Sequence, residues 1–325
     1  MKRILTWLQV TSDQFHLGNY FWAIKPLLDL WVANPDAVVF LFVANMHSLT
    51  TVQDGSLRQN TLNTIKLYLA SGVDPDKVFI YNQADVAGHA QLAWVFNCYT
   101  HMWFMERMHA YKDKVGKQKA NEISIWLFTY PMLMAADILL YDATHVPTGK
   151  DQKQHVEYAR DIAGKFNNLF GETFVLPEPV IAEDVAIIPG TDGRKMSKSK
   201  NNYIWFLDTD EDILKKIKKI PTAAIAVEAP KDPDECNVYK IFKLFLDDEQ
   251  DAALRKRYTD GGLSFGELKL ELAQVVTDFV SPIRDKFATL SDQTIIDLLA
   301  KNAPRANEIA SKKIKEVYEK VGFIV

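Results

Sequence analysis

The sequence predicts an α/β protein, a parallel sheet followed by an all-helical region. Three observations carry that expectation. Short, wholly apolar runs alternate with helically spaced segments through about residue 170, the pattern of buried parallel strands joined by helices. Polar, glycine-bearing turns stand where those strands hand over to helices. Beyond about residue 208 the strand-like runs stop and only helical spacing remains.

The bulk numbers narrow the class. At 325 residues, with 48% hydrophobic and 25% charged residues, the chain is long enough for two domains and a large core. A formal net charge of −4 excludes a protein that coats nucleic acid nonspecifically, though not a local basic patch that holds one RNA. The cysteines are Cys98 and Cys236, with no Cys-x-x-Cys and no Cys/His cluster. Neither a structural metal site nor a disulfide scaffold is expected, and a reducing cytoplasm is the default compartment. Met1-Lys2-Arg3 is followed by two apolar residues before Thr6, too few for a signal peptide. The longest apolar run, residues 38–43, is too short to span a bilayer, so no membrane attachment is expected.

Taken in order, residues 3–10 read as a buried strand. The polar stretch Thr11-Ser12-Asp13-Gln14 leads to His16-Leu17-Gly18-Asn19, after which Tyr20, Ile24, Leu27, Leu28 and Trp31 recur at helical spacing. A strand, a loop and a helix start suit a nucleotide: Gly18 lets a flat base approach the backbone, and His16 can donate to phosphate oxygens. Alone, such a helix start is commonplace. Residues 38–43 predict a central parallel strand, and His47 lies just past its carboxyl end, where open α/β sheets place ligands. His47 fits equally a loop histidine that caps the next segment. Residues 57–72 predict an amphipathic helix, 78–81 a third strand, and 88–112 mainly helix; residues 111–122 read as a mobile, lysine-bearing connection.

The next segment holds an anomaly. Pro131 is placed to open a helix that is apolar on nearly every face, yet the helix carries Asp137. A buried carboxylate without partners costs several kcal/mol. Tyr130, Met134 and Asp137 fall on one stripe, an aromatic, a thioether and an acceptor that suit a flat apolar ring with one N–H. An ordinary pairing of Asp137 with an arginine or a helix N-terminus remains the alternative. After a short strand at 145–147 comes Thr148-Gly149-Lys150-Asp151-Gln152, then Val156, Ala159, Ile162, Ala163 and Phe166 at helical spacing. Asp151 and Gln152 can accept from a ribose or an ammonium group. Residues 176–192 lead through Ile187 to the basic loop.

That loop, Gly193-Arg194-Lys195-Met196-Ser197-Lys198-Ser199-Lys200, has little to bury and must face something negative. Lysines three residues apart, interleaved with hydroxyls, can surround a phosphate chain. Helices are predicted beyond it at 214–220, 236–246, 248–258, 265–290, 291–303 and 307–321, with a Lys215-Lys216-Ile217-Lys218-Lys219 cluster that reads as a solvated face or a contact to a phosphate backbone.

Lys-Met-Ser-Lys-Ser at 195–199 matches the second signature of class I aminoacyl-tRNA synthetases, and His16 to Asn19 resembles the first, usually written HIGH. With the Met134 to Tyr141 helix and Gly149 to His155 in the same order, essentially the whole chain resembles the bacterial-type tryptophanyl-tRNA synthetases. The resemblance implies a Rossmann-type catalytic domain over 1–207, with a helical insertion within about 84–170 that forms a homodimer, and a helical anticodon-binding domain over 208–325. It implies L-tryptophan, ATP carried with Mg2+ and tRNA(Trp) as substrates, with no metal held by the protein itself. By the same resemblance Lys195, Lys198 and His16 are catalytic. Gln9, Thr11, Gly18, Asn19, Gly149, Lys150, Asp151, Ile187, Met196, Ser197 and Ser199 join them at ATP. Asp137, Met134, Tyr130, Gln152 and His47 form the tryptophan site, Asp137 accepting from the indole N–H. A tyrosyl-tRNA synthetase is disfavoured by the Asp137 helix; a catalytically impaired homologue acting as a binding protein stays open.

Departures from the family pattern are specific. Trp7, Trp22, Trp103 and Trp126 stand where the family usually has glycine, and the chain holds 14 glycines against about 7% in average proteins. The loop from Gln9 to His16 is one residue longer than usual, Thr148 replaces a small apolar residue, and Lys150 replaces glutamate. An indole at Trp7 would fill the amino-acid pocket. We hypothesise that some of these tryptophans arise from UGA codons that the source organism reads as glycine.

Overall fold

The computed structural model describes residues 2–12, 15–106, 124–149, 152–181 and 188–325. Among them, parallel strands β1 (Arg3–Leu8), β2 (Val38–Val43), β3 (Val78–Asn82), β4 (His145–Thr148) and β5 (Glu178–Ile181) form one sheet in the order β3-β2-β1-β4-β5. Arg3 to Leu8 pair with Val38 to Val43, and Val39 to Val43 with Val78 to Asn82, so β1 and β2 are flanked on both edges. The strand order reverses between β1 and β4, and that switch point opens a crevice outside their carboxyl ends.

Strand alternation separates two cores. Ile4, Leu8, Val39, Leu41, Val43, Val78 and Ile80 face one; Leu5, Phe40, Phe42 and Tyr81 face the other. Three helices that cover the first face are α2 (Lys25–Ala33), α4 (Leu57–Ala70) and, beyond the basic loop, α12 (Phe265–Thr289). The second face is covered by α5 (Gly88–Tyr99), α7 (Trp126–Leu139), α8 (Lys153–Phe170) and the carboxyl half of α13 (Asp292–Lys320). Residues after 207 therefore pack on both faces of the sheet. Among the described residues no helix is long and apolar enough to cross a membrane.

Several elements differ from the sequence expectation. The strand β5 is unannounced, because Glu-Pro-Val-Ile is short and contains Pro179, a residue tolerated at a sheet edge. The helix after β1 begins as α1 (Leu17–Asn19) and widens to a π-helical turn at Tyr20–Ile24 before α2. Lys25 N–H donates to Tyr20 O, five residues back, and Pro26 behind it has no N–H to give. The stretch expected to be mainly helix over 88–112 breaks at extended Thr100 between α5 and α6 (Met102–Glu106). The connection expected at 111–122 lies outside the described residues.

Two prolines lie inside helices where the sequence placed a helix boundary. The helix α7 starts five residues before Pro131; the proline removes one ladder bond, and burial of Leu127 rewards the extra turn. Likewise α13 runs unbroken through Pro304 where two helices were expected. Interior proline costs about 3 kcal/mol or more. Contacts on either side offset it: Asn302 Nδ2 donates to Ile80 O of edge strand β3 at 2.7 Å, and Asn307 Nδ2 to Asp85 O at 2.8 Å. One turn on, buried Ala310 approaches Gly88 so closely that a Cβ there would lie 3.1 Å from the alanine methyl.

Candidate active site

Strands β1, β2 and β4 deliver candidate residues at their carboxyl ends. Gln9 and Thr11 follow β1 and are exposed, while Val10 between them is buried and its N–H donates to Ser48 Oγ at 3.1 Å. His16 is extended, and Asn19 Oδ1 accepts from its N–H at 3.0 Å, which fixes the start of α1. The His16 ring folds back over Gly18, where a Cβ would stand 2.9 Å from His16 Nδ1. Only glycine leaves room for that ring. Burial lowers the His16 pKa to about 4, so at neutral pH the ring is an uncharged donor; its Nδ1 has no partner among the described residues.

The basic loop closes onto this turn. Pro189 and Lys195 form an antiparallel bridge, Gly190 N–H donates to Arg194 O at 2.7 Å, and Met196 N–H to Ile188 O at 2.8 Å. Met196 is buried, and its Sδ accepts from Gly18 N–H at 3.3 Å; Leu17 N–H donates to Ile204 O at 3.0 Å. Buried Met196 thus anchors a string whose Lys195, Lys198 and Ser199 remain exposed. Lys198 Nζ donates to Ser12 Oγ at 3.2 Å, and Ser197 and Ser199 share a hydrogen bond at 2.9 Å.

Asn202 holds the loop in shape. Its Oδ1 accepts from Ser197 N–H at 2.8 Å, and its Nδ2 donates to Asp192 Oδ1 at 2.6 Å and to Lys195 O at 3.1 Å. The Asn202 amide, with Arg194, holds the Asp192 carboxyl down at about 2. From α10 (Asn237–Phe242), Asn237 Nδ2 donates to Gly190 O at 2.8 Å. Sequence reasoning missed Asn202 because its partners are carbonyls and amides that no spacing rule names.

On the other face of the sheet, Asp137 of α7 is 0% exposed. Its partners are neither an arginine nor a helix end. Oδ2 meets His47 Nε2 at 2.8 Å, and Oδ1 meets both His89 Nδ1 at 2.6 Å and Gln83 Nε2 at 2.8 Å. Burial by itself pushes the carboxyl up, but the hydrogen bonds and charge of His47 and His89 overcome it and hold the pKa below 3.8. His47 lies in α3 (Asn45–Ser48), one turn past β2. The signal for His89 was present: on the buried side of α5, with Leu92, Val95 and Phe96, it is the one histidine.

The remaining predicted residues are placed as follows. Met134 is buried on the Asp137 face, and Tyr130 OH shares a 2.9 Å hydrogen bond with His155 Nε2. Gln152 caps α8, and Gly149 follows β4. Lys150, Asp151 and Ile187 lie outside the described residues. A cavity of about 260 Å³ lies beside His47 and Tyr130, walled by Trp94, Trp126 and Leu133. A larger groove of about 600 Å³ on the outer face of α8 contains none of the motif residues. Trp7 projects onto the Asp137 face and packs on that core.

Two signatures far apart in the chain, locked together through Gly18 and Met196 at the carboxyl edge of a parallel sheet, define the catalytic unit of a class I aminoacyl-tRNA synthetase. The chain belongs to the tRNA synthetases class I (W and Y), whose family model matches residues 2–281. It is 44% identical over 324 residues to the tryptophan–tRNA ligase of Campylobacter jejuni, covering 99% of this chain and 100% of that one. It is 41% identical over 328 residues to the tryptophan–tRNA ligase of Fusobacterium nucleatum, covering 100% of this chain and 99% of that one. The crystal structure of the Campylobacter jejuni tryptophanyl-tRNA synthetase complexed with ADP and tryptophan superposes with a TM-score of 0.88 at 44% identity, over 99% of this chain and 100% of that chain.

Proposed function

We propose that this chain is a tryptophan–tRNA ligase that activates L-tryptophan with Mg-ATP and passes the tryptophanyl group to tRNA(Trp) in the cytoplasm. The observation that carries the reading is Asp137, a buried acceptor on the stripe that bears Met134 and Tyr130. An indole N–H finds a partner there, whereas phenylalanine would leave the acceptor unpaired, a difference that can reject it without editing.

In this reading the tryptophan carboxylate attacks the α-phosphate in line, a bond to pyrophosphate breaks, and Mg2+ arrives with the ATP. Lys195 and Lys198 gather the negative charge of the departing phosphates, and uncharged His16 adds a hydrogen bond without a competing charge. Met196 buries its thioether under Gly18, so the two lysines are carried on an anchored loop and not on a free tail. Gln9, Thr11, Gly18, Asn19, Gly149, Lys150, Asp151 and Ile187 line the nucleotide; Gln152 and His47 complete the amino-acid end. Residues 208–325 serve as the tRNA-reading domain. The homodimer is assigned to the face where Trp94, Met102, Trp103 and Ile125 are more than half exposed. Sedimentation at the mass of a single chain would remove that part.

The test is exchange of labelled pyrophosphate into ATP with tryptophan, tyrosine or no amino acid. Tryptophan-dependent exchange is expected. Tyrosine-dependent exchange would move the chain to the other branch of its family, and none with either, while ATP still binds, would favour an impaired homologue with Trp7 in its pocket.

A further inference from the structure

An ionised carboxylate offers about four in-plane lone pairs, two on each oxygen. At Asp137, His89 Nδ1 at 2.6 Å and Gln83 Nε2 at 2.8 Å both fall on Oδ1. His47 Nε2 takes one position on Oδ2 at 2.8 Å. Among the described residues, the place left over is on Oδ2. The two sides of the carboxylate also differ in access: His89 is 0% exposed and Gln83 is buried with it, whereas the His47 side chain is 17% exposed and lines the neighbouring cavity.

Both inner donors are themselves fixed. Gln83 Oε1 accepts from Met46 N–H at 3.1 Å, which turns its amide so that Nε2 faces Asp137. The His89 ring lies among Phe42, Tyr81 and Tyr141, with centroids 5.7 to 6.0 Å away. His89 Nε2 has no hydrogen-bond partner among the described residues, while Nδ1 lies 2.6 Å from Asp137 Oδ1, so Nδ1 carries a proton aimed at the carboxylate.

Building on the tryptophan–tRNA ligase reading, we propose that His89 and Gln83 are positioning residues: they saturate Asp137 Oδ1 and so commit Oδ2 as the one acceptor presented to the indole N–H. Neither touches substrate. Without one half of the inner clamp the carboxyl group can turn about its Cβ–Cγ bond and offer Oδ2 to the inner donor that remains, and the enzyme loses its means of sensing the N–H.

The experiment compares kcat/KM for pyrophosphate exchange with tryptophan and with its isostere in which sulfur replaces the indole N–H. It is run on the parent chain, on the Trp7→Gly chain, and on His89→Leu, His89→Asn and Gln83→Met made in whichever of those two is active. Asparagine places an amide N–H near the position of His89 Nδ1; leucine places none. The expected result is a fall of about 10- to 100-fold in the tryptophan-to-isostere ratio for His89→Leu and Gln83→Met, with recovery in His89→Asn. Equal losses with both substrates in the leucine and methionine chains would mark a merely structural role and overturn the proposal. If His89→Leu does not fold, Gln83→Met and the ratio in His89→Asn decide it. A ratio near one already in the parent refutes Asp137 as the indole acceptor, and no exchange in either parent refutes the ligase reading and the clamp with it.

Discussion

Asp137→Asn separates the carboxylate's role in recognition from its role in the core. Alanine would strand three donors, two of them on fully buried His89 and Gln83, at about 1–3 kcal/mol each, and would confuse lost folding with lost recognition. Asparagine keeps an oxygen for those inner donors and puts an NH2 group where Oδ2 faced His47. The indole N–H then meets a donor in place of a charged acceptor. Loss of a charge-assisted hydrogen bond plus an unmet donor pair comes to about 3–4 kcal/mol, roughly a hundred- to a thousand-fold in kcat/KM for tryptophan. Pyrophosphate exchange reads the kinetic loss and urea denaturation the stability. Because the Asp137 carboxyl is held below 3.8 in the folded chain, its ionic contribution is present above that value and fades as pH falls through the lower folded value. The stability gap between parent and Asp137→Asn should therefore be full at pH 7 and close only in strong acid. A folded Asp137→Asn chain that exchanges with tryptophan within a few-fold of the parent would refute the assignment.

Lys195→Ala should slow adenylate formation about 10²- to 10³-fold while tryptophan binding changes little; a loss confined to affinity would remove its transition-state role. Gly190→Ala places a Cβ 2.3 Å from Asn202 Nδ2 and 2.5 Å from Asn202 O, so it should disrupt the loop and reproduce the Lys195→Ala defect without touching a substrate; normal exchange would show that Asn202 does not shape the loop. The depressed His16 pKa means that the unfolded chain takes up a proton between pH 6.5 and about 4 while the folded chain does not, so stability falls as pH is lowered through that window. The loss is about 2 kcal/mol after discounting for a part-exposed ring, and urea midpoints at pH 7 and 4.5 should show it in the parent but not in His16→Asn. Sequencing the gene should find UGA at some or all of positions 7, 22, 103 and 126; UGG at all four would end the recoding hypothesis.

What the sequence disclosed follows from how locally each feature is determined. The strand β2 was legible because six apolar residues in a row have few other homes, and Lys195 to Ser199 because a fixed string needs no context. Asp137 stood out as one acid on an otherwise apolar helix. Its partners did not, since Gln83 and His89 lie 54 and 48 residues away and only the fold brings them to Oδ1. Pro304 shows the opposite failure. Its local rule is sound, but bonds from Asn302 and Asn307 to carbonyls more than 200 residues back outweigh it. The strand β5 was hidden for lack of any local signal: its pairing partner His145 to Thr148 supplies the register that Glu-Pro-Val-Ile does not.

The two faces of the sheet explain why residue 7 matters more than the other three tryptophans. Leu17 and Met196 belong to the core on one face, and Met134 with the rest of the Asp137 helix belongs to the core on the other. A reaction between an amino-acid carboxylate and an α-phosphate has to join ligands from both sides, and the place where the sides meet is the carboxyl end of β1 at the switch point. Trp7 is the β1 residue nearest that end whose side chain points to the Asp137 face, since Leu5 shares its face and Leu8 takes the opposite one. An indole there is as large as the substrate ring it would displace. Trp22 and Trp103, by contrast, are 50% and 56% exposed, and Trp126 packs beside Tyr130 at the rim. Trp7→Gly alone should therefore raise tryptophan-dependent exchange at least about tenfold, and reverting the other three should add little to the chemical step. Full activity in the chain that retains Trp7 would mean that the amino acid does not approach β1 at all, and the route across the sheet would have to be drawn elsewhere.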